Sequence, residues 1–387
     1  MQKFNFPLRS PDVIFQTVNL FKACTASNKV NLSIGIYADN KGKLPPTENQ
    51  YLGIKGDANL VKFTNKLLFS DVNSNILNKI YTLQSCGGTG ALSLTSNILK
   101  LYSKNKTNII IPEPSWPNHF NIFENNDKVT TISTKRYNQG EHLIRKLENN
   151  DNNDNIICKH SHNVLLMQTS CHNPTGIDLT DKQWNRIFNL CEQKNITLIM
   201  DSAYIGMGNG ITKDIKPVVS AFSKNIDVFV CISFSKIASM YGHRLGLMYF
   251  KPKDSYNNIP DNFEYVSRIT QSNPPRYGSD ILLNQYEKNP EKLIKQVEEM
   301  SLRIKETRYK LQSKLHKYDY FDFDKGNGMF CLLPYDSYQI DILQNKYNIF
   351  VLPNGRINIC GITNDNFDYV VKAFKDVSYN HRPHYII

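Results

Sequence analysis

The sequence predicts an α/β protein: a large domain with a mostly parallel central sheet flanked by helices, joined to a smaller α+β domain. Three observations carry this. Apolar runs of strand length recur at Val30 to Ile36, Asn108 to Ile111, Val164 to Met167, Thr197 to Met200, Val228 to Ile232 and Leu245 to Phe250, with helix-length segments in several intervals. That alternation argues for parallel strands joined by crossover helices. Near Asn289 the character changes to a long charged stretch compatible with a helix, Glu291 to Lys317, followed by short strand candidates at Met329 to Leu333 and Arg356 to Ile359. Finally, 387 residues of which 40% are hydrophobic suffice to bury a proper core in two or three domains. The expected boundaries are residues 45–300 for the large domain, and residues 1–44 with 301–387 for the smaller one.

Composition narrows the class. No run approaches the ~18 apolar residues that cross a bilayer, and the first residues lack a basic-then-apolar leader. Eight cysteines lie scattered without a Cys-x-x-Cys pair, which reads as reduced core thiols of an intracellular protein. The expected compartment is the cytoplasm, ahead of the mitochondrion. The formal charge of +11 is spread along the chain and not gathered in a block, so neither nucleic acid nor a membrane is an expected partner. The run Asn149 to Asn155, only Asn and Asp, reads as a surface loop.

Taken in chain order, the polar clusters fall beside the predicted strands. Cys86-Gly87-Gly88-Thr89-Gly90 opens a helix; backbone amides at such a terminus bind phosphate, and Thr89 adds a hydroxyl, although a plain tight turn fits the same letters. After the Asn108 strand comes Pro112-Glu113-Pro114-Ser115-Trp116-Pro117-Asn118-His119, which puts the indole of Trp116 where it stacks either on a planar ring or in the core. His172-Asn173-Pro174-Thr175-Gly176 is a turn whose Asn side chain can donate into a pocket. Asp201 closes the Thr197 strand, and a carboxylate there needs a cationic partner such as a protonated pyridine nitrogen; Tyr204 follows within reach of a ring oxygen. Ser233-Phe234-Ser235-Lys236 closes the Val228 run, with Arg244 eight residues on, which is the setting of a Schiff-base lysine or of an ordinary strand-end lysine. Arg356 opens a late strand with a guanidinium suited to a carboxylate, of a substrate or of a salt bridge.

Together these clusters resemble the class I, fold-type I aminotransferases, in particular the aspartate aminotransferase branch, from about Pro11 to Tyr379. The resemblance implies pyridoxal 5'-phosphate as cofactor and no metal, with the cofactor in the large domain. It implies that Lys236 holds it as a Schiff base, that Asp201 pairs with the ring nitrogen with His119 behind it, and that Tyr204 and Asn173 bind the ring's 3-oxygen. Lys236, Asp201 and Tyr204 would then be the catalytic set. Gly88, Thr89, Ser233 and Arg244 would hold the phosphate, with Trp116 stacked on the ring. Arg356, Gly35, Trp116 and Asn173 would meet the substrate. From a partner subunit, Arg268 would reach the substrate's distal carboxylate and Tyr51 the phosphate. The implied reaction is transamination between L-aspartate and 2-oxoglutarate by a homodimer with shared sites, acting on dicarboxylic amino acids and 2-oxo acids. An aromatic or broad-specificity aminotransferase is the alternative on the same scaffold.

Four departures from that pattern stand out. Gly87 replaces a serine, Gln168 a histidine and His243 an acidic residue, while the interval from Gly35 to Tyr51 is short. From other classes, Ser233-x-x-Lys236 also fits serine acyltransferases of the penicillin-binding type, but no Lys-Thr-Gly occurs; a silent binding protein is a further reading. The resemblance also implies cis peptide bonds at Glu113-Pro114 and Asn173-Pro174.

Overall fold

The computed structural model describes residues 2–33, 46–124, 126–133, 139–149, 156–317 and 321–380. Seven strands form one sheet: β1 (Tyr81–Cys86), β2 (Thr107–Glu113), β3 (Lys128–Ser133), β4 (His162–Gln168), β5 (Thr197–Ser202), β6 (Val228–Ser233) and β7 (Leu245–Lys251). Their spatial order is β1-β7-β6-β5-β4-β2-β3, with β7 antiparallel to both neighbours and every other pair parallel. A separate antiparallel pair, β8 (Phe330–Leu332) and β9 (Arg356–Asn358), follows the helix Pro290–Leu315.

The strands are apolar on both faces because both faces are covered. Leu165, Met167, Leu198, Met200, Val228 and Val230 enter one core, while Val164, Leu166, Ile199, Phe229 and Cys231 enter a second. Successive side chains point to opposite sides of a sheet, so one apolar run supplies two cores. The crossover helix Asp181–Gln193 starts in a capping box formed by Thr180 and Gln183. The helix Ser337–Tyr347 uses Asp336 and Gln339 in the same way, and stops at Asn348 with φ of 51°.

Two strands have no counterpart among the predicted runs. β1 carries Gln84 and Ser85, both fully buried, and β3 is the edge strand of its side. One predicted run shows no strand over its described residues. Over Val30 to Ser33 the chain has no strand, because the Asn31 carboxamide oxygen accepts from the Ser33 amide (3.0 Å) and hydroxyl (2.7 Å). That local turn competes with strand pairing. Val30 and Leu32 consequently stay exposed, and the remainder of that run lies outside the described residues. Residues 150–155 of the Asn/Asp loop also lie outside them.

The first residues pack on the large sheet and not with the smaller part, where the sequence reading put them. Phe4 and Phe6 join the second core, and Lys3 Nζ lies 3.0 Å from Asp227 Oδ2 with both side chains buried. The expected seam at residue 300 falls inside the continuous helix Pro290–Leu315.

Candidate active site

The topology brings the chemistry to one edge. In register, Gln168 pairs with Asp201, Ser202 with Ile232, Ser233 with Gly246 and Cys86 with Leu245. The carboxyl ends of β1, β4, β5 and β6 therefore meet the start of β7, just after Arg244. The helix Gly87–Tyr102 begins at that edge and presents its free N-terminal amides there.

The cleft so formed is lined by residues that include Gly88, Thr89, Trp116, Asn173, Asp201, Tyr204, Ser233, Lys236 and Arg244. Residues singled out in separate stretches of the sequence thus line one cleft. His119 stands behind it, fully buried: its Nε2 hydrogen-bonds Asp201 Oδ2 at 2.9 Å, and its Nδ1 lies 2.8 Å from Ser115 Oγ. Trp116 meets the His119 ring edge-on at 5.2 Å between centroids. Both expected cis bonds, Glu113-Pro114 and Asn173-Pro174, are present.

Asn173 is the junction of the site. Its Nδ2 donates to Tyr204 Oη at 3.4 Å, and its Oδ1 accepts from Arg356 Nη1 at 3.0 Å. Arg356 lies over the Phe330 ring at 4.5 Å, and Phe330 meets Tyr204 edge-on at 5.7 Å. Behind Phe330 the wholly buried Arg308 donates to the carbonyls of Phe323, Asn327, Gly328 and Phe330, with no carboxylate bound to it by any of these contacts. Neither Phe330 nor Arg308 stands out in the sequence, since an arginine inside a charged helix looks like a solvated one.

Lys236 Nζ sits 4.6 Å above the Tyr204 ring. Burial lowers its pKa, Asp201 opposes that, and Arg244 adds to it. The Tyr204 hydroxyl is pushed up, first by burial and then by Asp201. His172 is held neutral, its pKa lowered to about 3 by burial. Arg244 has φ of 52° and donates through Nη1 to Ser235 Oγ (3.2 Å) and Tyr241 O (3.1 Å). Gly87, where the resemblance leads one to expect serine, has φ of 70°, and a Cβ there would lie 2.5 Å from Arg244 Nη2. The glycine makes room for the guanidinium.

Two expected residues lie elsewhere. Tyr51 and Arg268 do not line this cleft. Arg268 pairs with Asp12 (3.2 Å) and donates to Ser272 Oγ (2.6 Å) and Asn273 Oδ1 (3.3 Å), while Asn273 Nδ2 donates to Leu52 O (2.8 Å). Arg268 is thus tied to the segment that carries the exposed Tyr51. Gly35 lies outside the described residues.

The donor set fits pyridoxal phosphate. Helix amides, Thr89, Ser233 and Arg244 suit a phosphate, Asp201 a pyridinium, Asn173 and Tyr204 a phenolic oxygen, and Lys236 an aldehyde. A Cβ on Gly88 would come to 3.0 Å from Ser233 Cβ, so glycine there lets Ser233 pack closely against the start of the helix. Residues 27–374 match the family model for aminotransferases of class I and II. The chain belongs to that family.

Among its relatives, this aminotransferase is 31% identical over 412 residues to an aspartate aminotransferase of Haemophilus influenzae, covering 95% of this chain and 97% of the other. It is 28% identical to a tyrosine aminotransferase of Klebsiella pneumoniae, covering 94% and 96% respectively. A solved aromatic-amino-acid aminotransferase from Burkholderia pseudomallei, covalently bound to pyridoxal phosphate, superposes with a TM-score of 0.76 at 28% identity, covering 96% of this chain and 98% of that one. The aminotransferase therefore has the fold-type I architecture and takes pyridoxal phosphate as cofactor.

Proposed function

We propose that this aminotransferase moves the amino group of L-aspartate to 2-oxoglutarate, giving oxaloacetate and L-glutamate, as a homodimer with two shared sites. One observation supports the specificity: Arg268 is tied through Asn273 to Leu52, the chain neighbour of the exposed Tyr51, and neither Arg268 nor Tyr51 lines the chain's own cleft. A two-fold dimer makes such a segment part of the neighbour's site, reciprocally. Substrate would then span two guanidiniums, Arg356 for the α-carboxylate and the partner's Arg268 for the distal one.

The bound cofactor supplies an electron sink for the pair left when the α-carbon loses its proton. The remaining work falls to the chain. Lys236, with its amine made less basic by burial, would hold the cofactor and serve as the base that takes and returns the α-carbon proton. Asp201, braced by His119, holds the proton on the ring nitrogen. Asn173 and Tyr204 orient the ring oxygen, and Arg356 holds the carboxylate through its bond to Asn173.

The second reading is an aromatic or broad-range donor, supported by the Trp116 indole in the cleft lining and by the tyrosine and aromatic-amino-acid relatives. The deciding experiment compares kcat/KM for aspartate, glutamate, phenylalanine and tyrosine with 2-oxoglutarate in the parent and in Arg268→Ala. Loss of one charge-assisted pair predicts about 100-fold or more with aspartate and little change with phenylalanine. Equal losses for both donors, or a parent that prefers phenylalanine, would refute the dicarboxylate assignment. Mixing Lys236→Ala with Arg268→Ala subunits should restore one intact site per heterodimer; verified heterodimers without aspartate activity would refute the shared site.

A further inference from the structure

Gln168 does something that no assignment above covers. It ends β4, is 8% exposed, lines the cleft, and pairs in register with Asp201 on the neighbouring strand. Both ends of its carboxamide are spent on one residue: the Asn173 amide donates to Oε1 at 2.9 Å, and Nε2 donates to the Asn173 carbonyl at 2.8 Å. A side-chain amide here completes the backbone of Asn173 much as a neighbouring strand would. Both backbone groups belong to a buried residue, so without Gln168 they would be left unpaired.

We infer that Gln168 is a positioning residue whose amide clamps the Asn173 backbone, and through the Asn173 side chain fixes both Arg356 and the group facing Tyr204. The geometry gives the clamp two outputs. Asn173 Oδ1 holds Arg356 at 3.0 Å, which sets the carboxylate contact, and Nδ2 points toward Tyr204 Oη at 3.4 Å, which sets the contact to the ring oxygen. A carboxamide also has no proton to lose beside Asp201, so the clamp holds at any working pH. The inference rests on the aminotransferase family and not on which amino acid is the donor.

The test uses Gln168→Met, which keeps the length and removes both hydrogen-bonding ends. In the cofactor-free protein, hydrogen exchange at the Asn173 amide should accelerate about 30-fold, the worth of two ordinary hydrogen bonds, with β4 and β5 still protected. In the loaded dimer, KM for the best donor should rise about 10-fold or more as Arg356 loses its anchor, while kcat falls less. Hydrogen bonds to an ionised oxygen favour its charged form, so losing alignment of Asn173 should move the pH midpoint of the cofactor's visible absorbance upward. A folded Gln168→Met enzyme with parental KM and midpoint would overturn the proposal. So would loss of exchange protection across the whole sheet with KM unchanged, the mark of a merely structural residue. Should Gln168→Met fail to fold, Gln168→Glu decides, since it keeps the acceptor and loses the donor: a raised KM supports the clamp and a parental KM overturns it.

Discussion

Restoring serine at position 87 should weaken cofactor binding, although it adds a hydroxyl to the phosphate cup. Two costs follow from the geometry, and they fall on different observables. The backbone at Gly87 has φ of 70°, a region that costs an L-residue about 1–2 kcal/mol. That strain is present with and without cofactor, so it lowers folding stability and leaves affinity alone. The added Cβ would stand 2.5 Å from Arg244 Nη2 and 2.9 Å from its Cζ, so the guanidinium must move. A displaced charge-assisted bond to phosphate loses about 1.5–3 kcal/mol, and a new neutral hydroxyl bond returns about 1. The net is about 0.5–2 kcal/mol, or roughly 2- to 30-fold in Kd. Titrating the cofactor-free enzyme with pyridoxal phosphate, followed by visible absorbance, measures the second cost, and urea unfolding of the same preparation the first. Gly87→Ala separates the terms, because it adds the Cβ without the hydroxyl and should bind more weakly than the serine variant. Tighter binding by Gly87→Ser at undiminished stability would refute the steric argument.

Asp201→Asn keeps shape and removes the charge that holds the ring proton; turnover should fall at least ~100-fold, and near-normal turnover with cofactor bound would dismiss that role. Borohydride reduction of the loaded enzyme should leave the pyridoxyl group on the Lys236 peptide, and an active Lys236→Ala enzyme would exclude Lys236 as the carrier. At the opposite edge of the sheet, burial lowers Lys251 to about 8 from 10.5, its Nζ donating to Lys224 O and Ile226 O. Between those two values the unfolded chain binds more protons than the folded one, so this group makes stability rise with pH across that window. Lys251→Met should flatten the rise in urea unfolding measured from pH 8 to 10.5, and an unchanged slope would acquit the lysine.

The motifs at strand ends were legible because each pairs an apolar run with an expensive polar residue: Asp201 and Lys236 would be poor choices at buried strand ends without a ligand between them. β1 was not, since its residues Gln84 and Ser85 are buried polar groups: the Gln84 side chain is satisfied by a tertiary contact, donating to Pro275 O, and Ser85 Oγ by a local one, donating to Gly87 O. Val30 to Ser33 misled for the opposite reason, a local side-chain turn at Asn31 overriding apolar alternation. Gly87 read as a missing donor; only the position of Arg244 turns it into a space requirement. Arg308, Phe330 and the Gln168 clamp depend on contacts between distant segments, and no spacing in the chain announces them.

The pairing of Lys3 with Asp227 bears on the order of assembly. Lys3 is made well before its buried seat, which is built from Asp227 and from Thr197 Oγ1, the latter accepting from Lys3 Nζ at 3.0 Å. A ribosome moving at about 5–20 residues per second would need on the order of ten seconds or more before Asp227 exists. Within that interval Phe4 can meet His162 and Phe6 can meet Tyr102, whereas Phe229 and Phe250, which Phe4 also packs against, are made later still. The seat of this segment is therefore complete only once β6 and β7 have been made, so its docking joins residues far apart in the chain into one core.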